Sequence, residues 1–398
     1  MRTFRLTLFG LVLLLMPGCN LTALLESGGL GNLNPGSNDD AGTTGGATFT
    51  PIENDFACAT ADTPCDVQRA LYWINQTFGV IRNTWEGKYH FDAWPLYVVY
   101  VDAQNKASGY IVNGQNLPAG ATAVTGAAAQ GLTVHRYDGR ASAASGTENG
   151  LYDLLFDING TEYSMILLKP GDADDIESGN YQWVMTLVHE TFHAYQIKDW
   201  QSPAGMLQDE ENYPITAEVL ALSLLECKIA SAAYKTDNAA DAEKYLKMYI
   251  AARTEKIRID PSGEKLVLNM DNPQEHGEGT ARYIEFKFME LLEPTVPDVY
   301  FKAYLDDVLE TGFDSAEGVR EYFAFAMWYE TGAITLRMLD VLSVSYVDDL
   351  LAGKTPYEIA RDHFNLSTGE LNTSLDAAKA EFGWSTIQTD AAKYANLK

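Results

Sequence analysis

The sequence predicts an α+β protein, with a small N-terminal β-sheet subdomain followed by a mainly helical C-terminal part. Three observations carry this. Short β-rich runs bounded by Gly, Asn and Asp occur between Trp94 and Lys169. From Tyr181 onward the apolar residues recur at three- and four-residue spacing, the period of helices. After residue 55 no second low-complexity stretch interrupts the chain, so sheet and helices belong to one folded region of residues 56–398, divided as 56–178 and 179–398.

Residues 1–18 read as a signal segment rather than part of the fold. Arg2 and Arg5 precede an apolar run from Leu6 to Met16 that is too short for a mature transmembrane helix. Met16-Pro17-Gly18-Cys19 resembles a lipoprotein processing site, with Gly18 and Cys19 in place and Met16 and Pro17 departing from the usual residues. Cys19 is then the expected lipidated N-terminus, and the cell envelope, at the outer membrane or facing the periplasm, the expected location. Residues 19–55 are rich in Gly, Ser, Asn, Asp and Thr, which bury too little apolar surface to fold, and they read as a tether.

An export signal implies an oxidising compartment. Cys58 and Cys65, seven residues apart just after the tether, are therefore expected to form a disulfide, while Cys227 in an apolar run reads as a buried small hydrophobe. The 398 residues carry a formal net charge of −27, which argues against nucleic acid and anionic membrane surfaces as partners.

Within the fold, Val67, Leu71, Ile74, Phe78 and Ile81 recur at helical spacing between Asp66 and Trp85. Strands are expected over Trp94–Asp102, Gly131–Tyr137, Leu151–Asn159 and Thr161–Lys169, the last two joined as a hairpin at Asn159-Gly160. Further helices are expected over Tyr181–Lys198, Pro214–Tyr234, Ala239–Ile257, Gly279–Leu292, Asp298–Thr311 and Ala316–Val341, with shorter pieces to the end.

The helix from Tyr181, begun by the signal Gly179-Asn180, contains His189-Glu190-Thr191-Phe192-His193, the H-E-x-x-H pattern. Side chains four residues apart lie about 6 Å apart on one helix face, so His189 and His193 can close on one zinc ion. Glu190 projects from the flank, where a carboxylate can take a proton from a metal-activated water without binding the metal. The implied chemistry is hydrolysis. Burying two histidines and an acid among Val184, Leu187, Val188, Phe192 and Tyr195 is costly without a strong partner, which a metal ion supplies.

With Thr186 three residues before His189 and uncharged Leu187, Thr191, Phe192 and Ala194 around the pair, the run resembles the zincin metallopeptidases. No Gly-x-x-His follows His193, so the metzincin branch is excluded and a Glu is the expected third ligand, as in gluzincins. Two glutamates compete. Glu218 lies 25 residues after His193, a gluzincin-like spacing, in a strongly apolar stretch. Glu278 is 85 residues away, but Glu278-Gly-Thr-Ala-Arg-Tyr-Ile-Glu285 resembles the ligand segment of gluzincin aminopeptidases, and it is preferred. Gly277 and Gly279 would let the backbone approach the metal helix, and Arg282 could hold a carboxylate one turn away. The glutamate left over is expected to orient a ligand histidine.

The resemblance implies a sheet lying over the metal helix, with an edge strand that pairs with extended substrate; Glu162–Lys169 is the candidate edge, with an ordinary core strand as the alternative. It also implies a donor for the oxygen that gains charge in the reaction. Tyr329 is the candidate and His276 the next. The expected function is a zinc-dependent peptidase acting on a peptide or protein, with a catalytically silent surface binding lipoprotein as the alternative.

Overall fold

A computed structural model of the chain describes residues 58–59, 62–81, 84–146, 151–174, 182–292 and 301–397. The signal segment, Cys19, the tether and Gly179-Asn180 lie outside the described residues. Cys58 and Cys65 stand at disulfide distance, with 5.5 Å between their Cα atoms. No helix among the described residues is long and apolar enough to cross a membrane.

The chain is α+β, and its described residues fall into two compact units. The first holds a mixed sheet and the start of helix α1 (Cys65–Ile81), through Tyr72. Its strands are β1 (Leu96–Val101), β2 (Ala107–Val112), β3 (Thr122–Val124), β4 (Val134–Arg136), β5 (Tyr152–Ile158) and β6 (Thr161–Leu168), in the order β3-β4-β2-β1-β6-β5. β1 and β6 pair in parallel and every other neighbour is antiparallel. Tyr97, Val99, Ile111, Phe156, Tyr163, Met165 and Leu167 form the core of one face, the alternation that a period of two dictates.

The candidate edge strand is corrected and its alternative, a core strand, holds: β6 lies between β1 and β5. Its run Tyr163–Leu168 is buried residue after residue, the pattern of a strand covered on both faces. The hairpin expected at Asn159-Gly160 is present, and both residues have positive φ, 55° and 84°, as a two-residue primed turn requires. β2 and β3 lie where no strand was expected. β2 follows a turn in which the Asp102 carboxylate accepts from the backbone N–H groups of Gln104 and Lys106, at 2.9 and 2.8 Å.

The second unit includes Trp73–Trp94, the long segment Gln182–Glu290 and the chain beyond residue 300. Helix α2 (Gln182–Asp199) is buried almost throughout from Trp183 to Gln196. On one side Phe192 packs edge-on against Trp85, Tyr89 and Trp200, with ring centroids 5.3, 5.1 and 5.5 Å away. Helix α3 (Ala217–Ala233) starts at Thr216, whose hydroxyl accepts from Val219 N, and α4 (Ala239–Ile259) starts at Asn238 in the same way.

Next comes an unbroken helical run, α5, over residues 267–292. It is α-helical at Asn272–Gln274 and Thr280–Leu292, with π turns at Val267–Asp271 and Glu275–Gly279. Only the part from Gly279 was expected. Pro273 and the glycines 277 and 279 mimic a break in sequence, and the π turns absorb them. Helices α6 (residues 302–311) and α7 (residues 316–341) follow, each with a π turn of its own.

Where α3, α4, α5 and α7 meet lies a fully buried ionic cluster. Arg253 binds Glu226 and Glu275, each at 2.9 Å; Lys256 binds Glu226 at 2.6 Å and Asp271 at 2.9 Å. Both cations lie over the Trp328 ring, 4.7 and 4.4 Å from its centroid. Thr331 donates to Glu275 at 2.6 Å, and Tyr249 also bonds it. Buried charges persist where partners and hydrogen bonds offset desolvation, and here each cation has two carboxylates.

Candidate metal centre

The H-E-x-x-H segment lies within α2, and the structure brings its two histidines to Glu278 on the π turn of α5. His189 Nε2 and His193 Nε2 are 2.9 Å apart, and each is 3.1 Å from Glu278 Oε2. All three side chains are buried. They form a group whose ligand atoms could hold a metal ion.

The outer edges of the rings fix which nitrogens face the centre. The Gln196 amide nitrogen donates to the Gly277 carbonyl at 3.0 Å, and a carbonyl only accepts, so the amide orientation is set. Its oxygen therefore accepts from His193 Nδ1 at 2.6 Å. The Glu285 carboxylate likewise faces His189 Nδ1. Both imidazoles thus spend their Nδ1–H outward and aim Nε2 inward, beside a carboxylate oxygen. Three acceptors at 2.9–3.1 Å repel one another unless positive charge lies among them.

Without a cation that charge is a proton. Burial pulls the His189 imidazole down, but Glu285 and Glu278 outweigh it and hold the group up at about 10. Burial raises the Glu278 carboxyl, and His193 and His189 outweigh it and bring it well below the ordinary range. The donor set, two imidazoles and one carboxylate, suits a divalent transition metal, and its 2.9–3.1 Å edges approach the roughly 3.3 Å left between donors about 2.0–2.1 Å from one tetrahedral ion.

Glu190 is buried, and its Oε2 has no hydrogen-bond partner among the described residues. Burial pushes its carboxyl up to about 7, against the opposing pull of His189 and His193. Tyr329, on α7, stacks on His189 with centroids 5.6 Å apart and an 11° interplanar angle.

Other expected residues lie elsewhere. Glu218 is exposed on α3, beside Ala221, Leu222, Lys379 and Trp384 on a cavity wall, and it orients neither histidine. That role falls to Glu285 and Gln196. Glu285 closes the Glu278–Glu285 run, and Gln196 follows His193 by three residues on the same helix face, the signal by which it could have been found. His276 gives its Nε2–H to the Leu350 carbonyl at 2.9 Å and packs on Trp200; burial lowers it to about 4, so it is a neutral core histidine.

The glycines act differently from expectation. An added Cβ at Gly277 would meet nothing within 4 Å, whereas at Gly279 it would lie 2.7 Å from the Gly332 Cα of α7. Gly279 thus permits close approach of α5 to α7 rather than to α2. Cys227 is fully buried, and burial pushes its thiol up to about 12. Comparison with protein families, with curated proteins and with solved structures finds no match to this chain.

Proposed function

We propose that the chain is a zinc-dependent hydrolase of gluzincin type that cleaves peptide bonds at the cell envelope, anchored by lipid on Cys19. The observation that carries the reading is the convergence of His189 Nε2, His193 Nε2 and Glu278 Oε2, with both Nδ1 atoms held outward by partners. The runs His189–His193 and Glu278–Glu285, which resemble gluzincin peptidases, support zinc as the metal and a peptide as the substrate.

Zinc bound by these three residues would supply Lewis acidity, acidifying water and polarising a carbonyl. Glu190 takes the proton from the attacking water and returns it to the leaving amine, a task suited to a carboxyl raised to about 7 with an uncommitted oxygen. Tyr329 is assigned to donate a hydrogen bond from its hydroxyl to the carbonyl oxygen as negative charge gathers there. Glu285 and Gln196 keep both Nε2 lone pairs directed inward.

A second reading, a silent metal-holding binding lipoprotein, is favoured by the low exposure of His189, Glu190, His193 and Glu278, none above 9%. One experiment separates the two. Full-length protein in detergent is given a mixed peptide library as the unaltered chain, as Glu190→Gln and after chelation. The proposal expects zinc in the first two samples and cleavage that falls by about 10²–10⁴ in the mutant. Zinc bound without cleavage by any sample would transfer the function to the second reading.

A further inference from the structure

Arg282 is a cation with no place in the chemistry above, yet it lies 2% exposed on α5, one helical turn after Glu278. Its Nη1 bonds Glu285 Oε2, and the other oxygen of that carboxylate faces His189 Nδ1. Its Nε pairs with Glu330 Oε1 at 3.2 Å. Its guanidinium carbon lies 5.4 Å from the centroid of Tyr329, the ring that stacks on His189. Tyr304 and Phe286 lie at 5.2 and 5.7 Å from the same carbon.

Arg282 therefore bonds Glu285, at the edge of the His189 ring, and lies within cation–π range of Tyr329, on its face. A carboxylate bonded through one oxygen only can swing about its Cγ–Cδ bond. A carboxylate fixed through both oxygens presents one lone-pair direction to the imidazole. The planar fork of a guanidinium holds such geometry, and a lysine ammonium does not.

We propose that Arg282 is a positioning residue for the metal centre, holding Glu285 and Tyr329 so that His189 Nε2 stays aimed at the ion. The inference rests on the metal reading above. A purely structural Arg282 would balance the charges of Glu285 and Glu330 and have no separate effect on His189.

The test is zinc affinity of full-length protein in detergent, measured by competition with a chromophoric chelator, for the unaltered chain, Arg282→Met, Glu285→Gln and the double variant. Each single change is expected to weaken zinc binding about 10- to 100-fold, and the double to bind no more weakly than the weaker single, because both break one relay. Arg282→Met affinity within about threefold of the unaltered protein, or losses that multiply in the double, would overturn the proposal. If Arg282→Met does not fold, Arg282→Lys, which keeps the charge and loses the fork, is read by the same criteria. The zinc-loaded unaltered protein should also show a slowly exchanging Nδ1–H signal for His189 by NMR, weakened in Glu285→Gln; its absence overturns the relay. Should the unaltered protein take up no zinc, the metal reading falls and this inference with it; zinc uptake that Arg282 does not influence removes this inference alone.

Discussion

Gly332→Ala tests how the ligand-bearing helix is seated. A Cβ at Gly332 of α7 would lie 2.8 Å from Gly279 Cα, 3.0 Å from the Glu275 carbonyl oxygen and 3.2 Å from Glu275 Cα. All are backbone atoms, so no side chain can swing away. Carbon atoms pack at about 3.5–4.0 Å, so α5 and α7 must separate by roughly 0.5–1 Å. Overpacking of this kind costs about 1–3 kcal/mol. At roughly 2–4 °C per kcal/mol, the metal-free protein should melt about 2–12 °C lower. Glu278 immediately precedes Gly279, so its carboxylate shifts with the backbone and zinc affinity should fall on the order of tenfold. Gly277→Ala supplies the contrast from the same π turn, because its Cβ meets nothing within 4 Å. That change should be neutral or stabilise by up to about 1 kcal/mol. Thermal unfolding without metal and a chelator competition measure the two effects. A Gly332→Ala protein that melts within about 1 °C of the unaltered chain and binds zinc equally, or a Gly277→Ala loss of the same size, would refute the close-approach argument.

Two further outcomes are expected. Glu278→Ala should abolish stoichiometric zinc in elemental analysis while Glu218→Ala retains about one zinc per chain, because of these two glutamates only Glu278 meets the inward Nε2 atoms; the reverse order would reassign the ligand. Zinc uptake should release protons: the folded, metal-free His189 is held up at about 10, so below that pH it carries a proton that a ligand imidazole cannot keep. Affinity should therefore climb as pH rises toward 10, and calorimetric heats should vary with the buffer's ionisation enthalpy; pH-independent affinity would remove the proton from the centre.

What the sequence showed of the site depended on how local the signal was. His189, Glu190 and His193 sit within one helical turn and a half, so spacing alone brings them together. Glu278 is far along the chain and was legible only through its resemblance-bearing neighbours, Gly279 to Glu285. Glu218 competed with it because Val219, Leu220, Ala221 and Leu222 follow it in sequence, although it stands on the exposed face of α3. For β6 the alternative of an ordinary core strand is the one that holds: Met165 to Leu168 are apolar without a break, the pattern of an interior strand, and β6 lies between β1 and β5. Arg253 and Lys256 gave no signal of burial, since each reads locally as a cation on a helix face, and only the fold brings Glu226, Asp271 and Glu275 to them.

The irregular part of α5 joins these two polar centres. In an α-helix, residues three apart share a face, so Glu275 and Glu278 would address the same neighbours. Here Glu275 bonds Arg253 and Thr331 in the ionic cluster, and Glu278 meets His189 and His193. A π turn over Glu275–Gly279 spreads one extra residue over the turn, so Glu275 and Glu278, both within it, diverge further around the axis than the same spacing allows in an α-helix. The first glutamate is thereby held by Arg253, Thr331 and Tyr249, and the second is free to be a ligand. Regularising this turn would point both carboxylates toward one centre, so that either Arg253 loses Glu275 and keeps Glu226 as its close carboxylate, or the histidines lose Glu278. The features that hid this segment from helical periodicity, Pro273 and the glycines at 277 and 279, belong to the stretch where the chain departs from the regular period to serve both.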